Sequence, residues 1–352
     1  MVVVAAVRLA LPSILRRGIT ARLEKIPEYT GRVEKVDLAV WRGAYTLHRL
    51  VVMKRGDPKQ DPFFRVERVD FSIAWRELIH RRLVSDIVLE KPMLTLIKAP
   101  STEATQVAID RRWQAAINDI FPVNITLLKV TDGEVRYVND TLKPKVDIRV
   151  AHLRALATGL RNRPDESGGE FPARLTFEGE TIGGGSLKLA AQAEPLAAEP
   201  HFLLKAEVER VSLPALNEFL RAYAGVDVSK GTFSGYLEVA ARDGHYQGYF
   251  KPFFDQVDFS EQPGESEPVS RQLRELFVRM FTWVFKNHPR DEVATRIPFE
   301  GEFKNLNYST WETFLNMVRH AFVHPLQKKL DSQAPGGEGA KGDEAKLPEP
   351  KK

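Results

Sequence analysis

The sequence predicts a mainly β protein with peripheral helices, and three observations carry that prediction. Apolar and polar residues alternate with a period of two through many short segments. Gly- and Asp-containing turn signals separate these segments. Helical periodicity interrupts the strands in only a few places. Alternation of this kind marks strands with one apolar and one wet face, as in antiparallel sheets, and short turns join antiparallel neighbours into a meander.

The first element is a helix. Met1 to Leu15 is apolar except for Arg8 and Ser13. As a helix it is about 22 Å long, short of the roughly 30 Å hydrocarbon core of a bilayer. A secretory signal carries its charge before the apolar run, whereas Arg16 and Arg17 follow it. From Pro12 onward, Leu11, Leu15, Ile19 and Leu23 form an i+4 row and the charged residues lie off it. Such an amphipathic helix suits a membrane surface or the end of a sheet.

After Pro27 the period becomes two. In RVERVDFSI, Val69, Phe71 and Ile73 share a face, and Val146, Ile148 and Val150 do so further on. Ala173 to Glu180 sets Leu175 and Phe177 against Arg174, Thr176 and Glu178. Leu187, Leu189 and Ala191 repeat the pattern, then Phe202, Leu204, Ala206 and Val208, then Phe233, Leu237 and Val239. Turns are expected at Trp41-Arg42-Gly43-Ala44, Asp132-Gly133, Gly183-Gly184-Gly185 and Asp243-Gly244. Pro92, Pro122, Pro144, Pro172 and Pro252 are expected at or near strand ends. Helices are expected over Trp75 to Arg82, Asp110 to Ile120, Ser212 to Ala224, Arg271 to Asn287 and Thr310 to Leu330. Ser212 is the expected N-cap of the third, with Pro214 in its first turn. Residues 331–352 have no apolar period and read as a disordered tail.

Composition excludes several functions. The chain has 352 residues, 43% of them hydrophobic and 28% charged, as in a folded globular protein. Its 51 basic and 47 acidic residues leave a net charge of +4, too dispersed for a nucleic-acid partner. With no cysteine, thiol nucleophiles, disulfides and cysteine-ligated metals are excluded.

No motif for phosphate binding, metal-dependent hydrolysis or a nucleophile elbow occurs. The glycines at 183–185 lie between two strands and read as a hairpin turn rather than a phosphate cradle. His320 and His324 share a helical face, but no third ligand accompanies them. HYQGYFKPFF (His245 to Phe254) interleaves aromatic and basic residues, a pattern that binds bases or sugars. As a strand it puts Tyr246 and Phe250 on one side, and His245, Gln247, Tyr249 and Lys251 on the other. The simpler reading packs its aromatics inward. No catalytic residue, metal site or cofactor is expected.

A dozen or so one-sided strands must cover their apolar faces. A sandwich, a barrel, or a trough covered by helices or lipid chains would each do so, and composition does not choose among them.

Four phrases narrow the choice. LPSILRRGITARLEKIPEYTGRVEKVDLAVWRGAYTL (Leu11 to Leu47), DPFFRVERVDFSIAWRELI (Asp61 to Ile79), LNEFLRAYAGVDVSKGTFSGYLEVAARDGHYQGYFKPFF (Leu216 to Phe254) and IPFEG (Ile297 to Gly301) resemble the AsmA-like bacterial envelope proteins. The branch is that of domain of unknown function 748. The resemblance implies an elongated, curled antiparallel sheet, a β-groove of the bridge-like lipid-transfer type. It implies a single N-terminal inner-membrane anchor, a periplasmic body, and a role in outer-membrane biogenesis. Its partners would be phospholipids or other acyl lipids, the inner membrane and envelope proteins.

On this reading residues 1–26 are an anchor remnant and amphipathic helix, and residues 27–330 are the groove body. Arg16, Arg17, Arg22 and Lys25 would by the positive-inside rule face the cytoplasm; the resemblance sets that side in the periplasm and is followed here, with the upstream part of the anchor expected beyond Met1. The expected groove lining is Leu175, Phe177, Leu187, Leu189, Phe202, Leu204, Val208, Phe233, Leu237 and Val239. The expected membrane-proximal row is Leu11, Leu15, Ile19 and Leu23. The alternative is a non-enzymatic assembly factor that binds envelope proteins through sheet edges or the amphipathic helix at Leu273 to Phe285.

Overall fold

The alternating segments join into one sheet. We describe a computed structural model that covers residues 2–24, 29–39, 43–56, 61–73, 84–98, 124–160, 171–194, 199–260 and 296–303. The expected helices at 75–82, 110–120, 271–287 and 310–330, the tail, Pro122, and His320 and His324 lie outside the described residues.

A helix, α1 (Val2–Leu23), precedes β1 (Tyr29–Ala39), β2 (Ala44–Lys54), β3 (Pro62–Ile73), β4 (Val84–Glu90) and β5 (Met93–Lys98). Two long strands follow, β6 (Asn124–Asn139) and β7 (Val146–Leu160). Next come β8 (Ala173–Thr181), β9 (Ser186–Ala193) and β10 (Phe202–Ser212). After α2 (Asn217–Ala224) the chain forms β11 (Val228–Arg242), β12 (His245–Phe259) and β13 (Ile297–Glu302). The spatial order is β1-β2-β3-β4-β6-β7-β8-β9-β10-β11-β12-β13, with β5 beside β3 and β6.

All neighbours are antiparallel except β6, which runs parallel to β4 and β5. This departs from a pure meander. Strands β4 and β5 act as one interrupted strand beside β3, broken at Lys91-Pro92. A parallel return needs a crossover of a dozen residues or more, and the segment 99–123 supplies the length.

The turns at Gly183 to Gly185 and Asp243-Gly244 join hairpins as expected, with positive φ at Gly183 (80°), Gly184 (75°), Asp243 (52°) and Gly244 (74°). Asp132-Gly133 does not. It lies inside β6, where the β6–β7 register shifts between Val130 and Gly133. The Asp-Gly pair there absorbs a bulge rather than a chain reversal. Pro252 also lies within a strand: it is in β12, beyond the Phe250–Ile297 pair that ends β13, where β12 has only β11 beside it among the described residues. The helix expected from Ser212 begins as a 3-10 turn, Leu213–Leu216, with Pro214 near its start. Ser212 makes no side-chain cap; its backbone is still extended and its N–H donates to Gly183 O at 3.3 Å. Asn217 then ties α2 to β11, donating to Val228 O at 2.9 Å and accepting from Val228 N at 3.0 Å.

The strands are creased. Arg49, Lys91, Asp132, His152, Arg210 and Gln256 all have φ between 48° and 53°. Each is the third residue of a tetrad with hydrophobic, proline or glycine ends: LHRL, LEKP, VTDG, VAHL, VERV and FDQV. Left-handed φ at a bulge lets two successive residues point outward, so the apolar phase resumes one residue late. Leu47 and Leu50 are accordingly both buried, and Val69 and Val66 of β3 are buried opposite them. Ion pairs lie at the creases of β2, of the β4–β5 break, and of β6 and β7 on the wet side. Glu34 pairs with Arg49, Glu67 with Lys91 at 3.7 Å, and Asp132 with His152 at 3.0 Å.

The main core sits on the apolar face at the β1 end. Leu47, Val52, Phe63, Val66, Val69 and Phe71 are buried there with Ile87, Leu96 and Tyr137. The last turns of α1 cover it: Leu23 is buried, and Leu15 and Ile19 are half-buried against the same cluster. Gly31 permits this approach, since a Cβ there would meet Leu23 Cβ at 2.8 Å. Arg16 adds a hydrogen bond of 3.1 Å from Nη1 to Glu34 O.

Candidate functional site

Residues directly opposite one another on paired strands lie on the same face of a sheet. The registers therefore trace rows across β7 to β13. One row reads Ala157, Leu175, Ala191, Leu204, Val239, Gly248, Phe299. The next reads Ala155, Phe177, Leu189, Ala206, Leu237, Phe250, Ile297. A third has Gly179, Leu187, Val208, Gly235 and Pro252, and beyond the bulge at Arg210 a fourth has Val211, Phe233 and Phe254. All ten expected lining residues thus share one face. That face continues the main core, because Leu128 and Val130 of β6 pair with Ala157 and Ala155.

The ten divide into two groups by packing. Phe202, Leu204, Leu237 and Val239 gather with Tyr246, Phe250 and Phe299 into a cluster at the β13 end. Phe233 joins Leu213, Leu220, Val228 and Phe254 in a cluster under α2. Leu175, Phe177, Leu187, Leu189 and Val208 belong to none of the three buried clusters among the described residues. Leu175 is 36% exposed, against 0% for Leu47 on the same face. The apolar face is closed at both ends and half-open over β8 and β9.

Glycine placement follows the same division. At the β13 end, aromatic rings lie over glycines. A Cβ on Gly235 would meet the Phe233 and Phe250 rings at 3.0 Å, and one on Gly248 the Phe299 ring at 2.8 Å. Over β8 and β9, the small residues on the same face are Gly179, Ala191 and Ala193, and a Cβ on Gly179 would meet the aliphatic Val150 Cγ1 at 2.6 Å rather than a ring. An apolar surface of this form can hold alkyl chains, each buried methylene contributing about 0.8 kcal/mol.

The opposite face is wet. Lys205 pairs with Glu238 at 3.0 Å, and Arg154 with Glu178 at 3.8 Å. Burial pushes the Glu238 carboxyl up, but hydrogen bonds from Lys205 and Tyr249 outweigh it and the net shift is downward. Burial, then the bond to Glu238, raises the Tyr249 phenol. No group of three or more His, Asp or Glu side chains among the described residues can hold a metal ion.

Of the membrane-proximal row, Leu15, Ile19 and Leu23 face the sheet, and Leu11 lies within α1. No helix among the described residues is long and apolar enough to cross a membrane. Sequence reasoning missed the creases, although the interrupted alternation of VEKV, LHRL and the twice-used VERV is their signal.

Fold and surface together define a class: a one-sheet β protein whose continuous apolar face is left half-open in its middle. No protein-family model matches the chain, and no curated protein matches it.

Proposed function

We propose that the chain is a non-enzymatic, inner-membrane-anchored periplasmic protein. In this reading it binds or transfers acyl lipids on the apolar face of β8 to β12 and serves outer-membrane biogenesis. One observation carries the reading: Leu175, Phe177, Leu187, Leu189 and Val208 form a half-open strip continuous with buried apolar surface on both sides. A core that only had to be stable would cover this strip. The AsmA-like phrases support the same reading and supply its compartment. The creases support a curled sheet, because bulges bend strands and increase their twist. The N-terminal apolar run is the proposed membrane attachment, and α1 from Pro12 onward the element that joins it to the sheet.

The test is native mass spectrometry of the full chain purified without detergent. The expected result is co-purified acyl lipid, lost when Leu187→Glu and Leu189→Glu put charges on the strip while circular dichroism stays unchanged. A lipid-free wild-type protein, or lipid retained by the folded double variant, overturns the proposal. The second reading, an assembly factor, draws on the edge of β12 beyond Phe250, which has no strand beside it among the described residues. Such an edge can accept a partner's strand. Site-specific crosslinking from Gln256 and Val257 would then return a protein partner and no lipid adduct.

A further inference from the structure

The aromatic and basic residues of HYQGYFKPFF divide between the two faces. Tyr246 and Phe250 pack inward, whereas Tyr249, Lys251 and Phe253 stand on the wet face of β12. There they meet Tyr236 of β11: Tyr236 and Phe253 are in T-shaped contact, with ring centroids 5.5 Å apart and planes at 84°. The Tyr249 ring carries Arg296 at 3.9 Å and Lys251 at 5.4 Å. These rings flank a depression of about 650 Å³ that extends over β8, β9 and β10. Half-buried aromatics are unneeded on a face that has no core to build. Here three stand together around a concavity.

We propose that this depression is a binding site for a neutral saccharide chain. Charge balance selects the ligand class. The depression is lined by Glu178, Glu207 and Glu238 against Lys188, Lys205 and Lys251. Just outside it, Glu209 accepts from Tyr236 Oη at 3.4 Å, and Arg296 covers Tyr249. An anionic or a cationic ligand would meet as many like charges as opposite ones. A polyhydroxylated neutral ligand uses both, since its hydroxyls donate to the carboxylates and accept from the ammonium groups. Its apolar C–H face then stacks on Tyr236 and Phe253, beside the Tyr249 ring that Arg296 covers. The site opens on the wet face, although Phe177, Leu189, Ala206 and Leu237 of the apolar rows also border it, and its test uses no lipid.

The experiment titrates the full chain by isothermal calorimetry with neutral tetrasaccharides of glucose, galactose, mannose and N-acetylglucosamine. Saturable binding of at least one is expected. Tyr236→Ala and Phe253→Ala should each weaken it about tenfold, the worth of one aromatic contact. Should either variant fail to fold, Lys188→Gln at an exposed position and Lys251→Gln at a half-buried one should weaken it by about threefold or more through lost hydrogen bonds. Three results overturn the proposal. One is no saturable binding of any of the four by the folded wild-type chain. Another is an affinity unchanged by the folded variants. The last is preference for an acidic oligosaccharide that disappears with added salt.

Discussion

Leu47 and Leu189 occupy one continuous apolar face, in strands that alternate equally well, yet their surroundings differ. Leu47 sits among Val33, Val69, Phe71 and their neighbours, in the cluster that Leu15, Ile19 and Leu23 of α1 pack against, and is fully buried. Leu189 lies in a row with Phe177 and Ala206, in none of the buried clusters. Alternation specifies which side of a strand is apolar. It does not specify whether anything covers that side. The covering elements decide: α1 against β1 and the core cluster, α2 with its 3-10 turn over the start of β11, and aromatic rings over the glycines of β11 and β12.

The largest test of this contrast is a pair of truncations. Leu47→Ala should cost about 2–5 kcal/mol, as expected for a cavity in a packed core. Leu189→Ala should cost under about 1 kcal/mol, because a half-exposed side chain loses little transfer energy and leaves no enclosed void. Urea unfolding of both variants measures the difference. Equal costs would mean that β8 and β9 are covered as fully as β2.

Tyr45 sharpens the closed end. It stacks on Phe71 with centroids 4.5 Å apart, and burial pushes its phenol from 10.0 up to about 12. The neutral form is favoured in the folded chain. Its contribution to stability is therefore complete below pH 10 and is lost as pH rises toward 12. The difference between absorbance titrations of the wild type and Tyr45→Phe should show a tyrosine ionising near pH 12. If the difference ionises near pH 10, the packing against Phe71 does not shield this site.

Much of the fold is legible in the sequence because its signals are local. Leu175 to Val239 could be assigned to one face because successive strands keep their phase and short turns join them. The parallel step at β6 was not legible as such, since a long connection does not state which neighbour the chain returns to. The half-open strip was not legible either. Leu175 and Val239 sit in equally clear alternation, and only the rings of Tyr246 and Phe299 near Val239 separate their fates. Asp132-Gly133 misled for a physical reason: a left-handed residue serves a bulge as well as a hairpin.

A smaller effect is expected where the strands of the face's two halves join. Arg136 on β6 and Asp147 on β7 form a two-pronged ion pair, with Nε to Oδ1 at 2.8 Å. The hydrogen bond from Arg136 holds the Asp147 carboxyl below its ordinary value, against the opposing effect of burial. The ionised form is thus favoured on folding. It adds stability above the usual carboxylate range, and this is lost as pH falls through the folded value. Asp147→Asn should cost about 1 kcal/mol at pH 7, a figure reduced by the partial exposure of both groups, and the cost should shrink as pH falls through the folded value. A cost independent of pH would assign the pair's effect to packing.

The smallest expected effect uses the two identical VERV tetrads. Arg210 has φ 53°, whereas Arg68 at the same place in the other tetrad is not left-handed. A non-glycine residue in that conformation costs about 1–2 kcal/mol, and glycine adopts it freely at an entropic cost of about 0.5–1 kcal/mol. Arg210→Gly should therefore be neutral or stabilising by up to about 1 kcal/mol. Arg68→Gly gains no relief. It also loses the ion pair with Asp70 at 3.0 Å, so it should destabilise by about 1 kcal/mol. Opposite signs in parallel thermal melts would mean that one tetrad has two backbone solutions, chosen by the neighbouring strand. Arg210 meets a one-residue register shift against β11, while Arg68 keeps regular pairs with His48 and Glu90. Equal destabilisation by both would place Arg210 in ordinary strand geometry, and the crease would then end at β7.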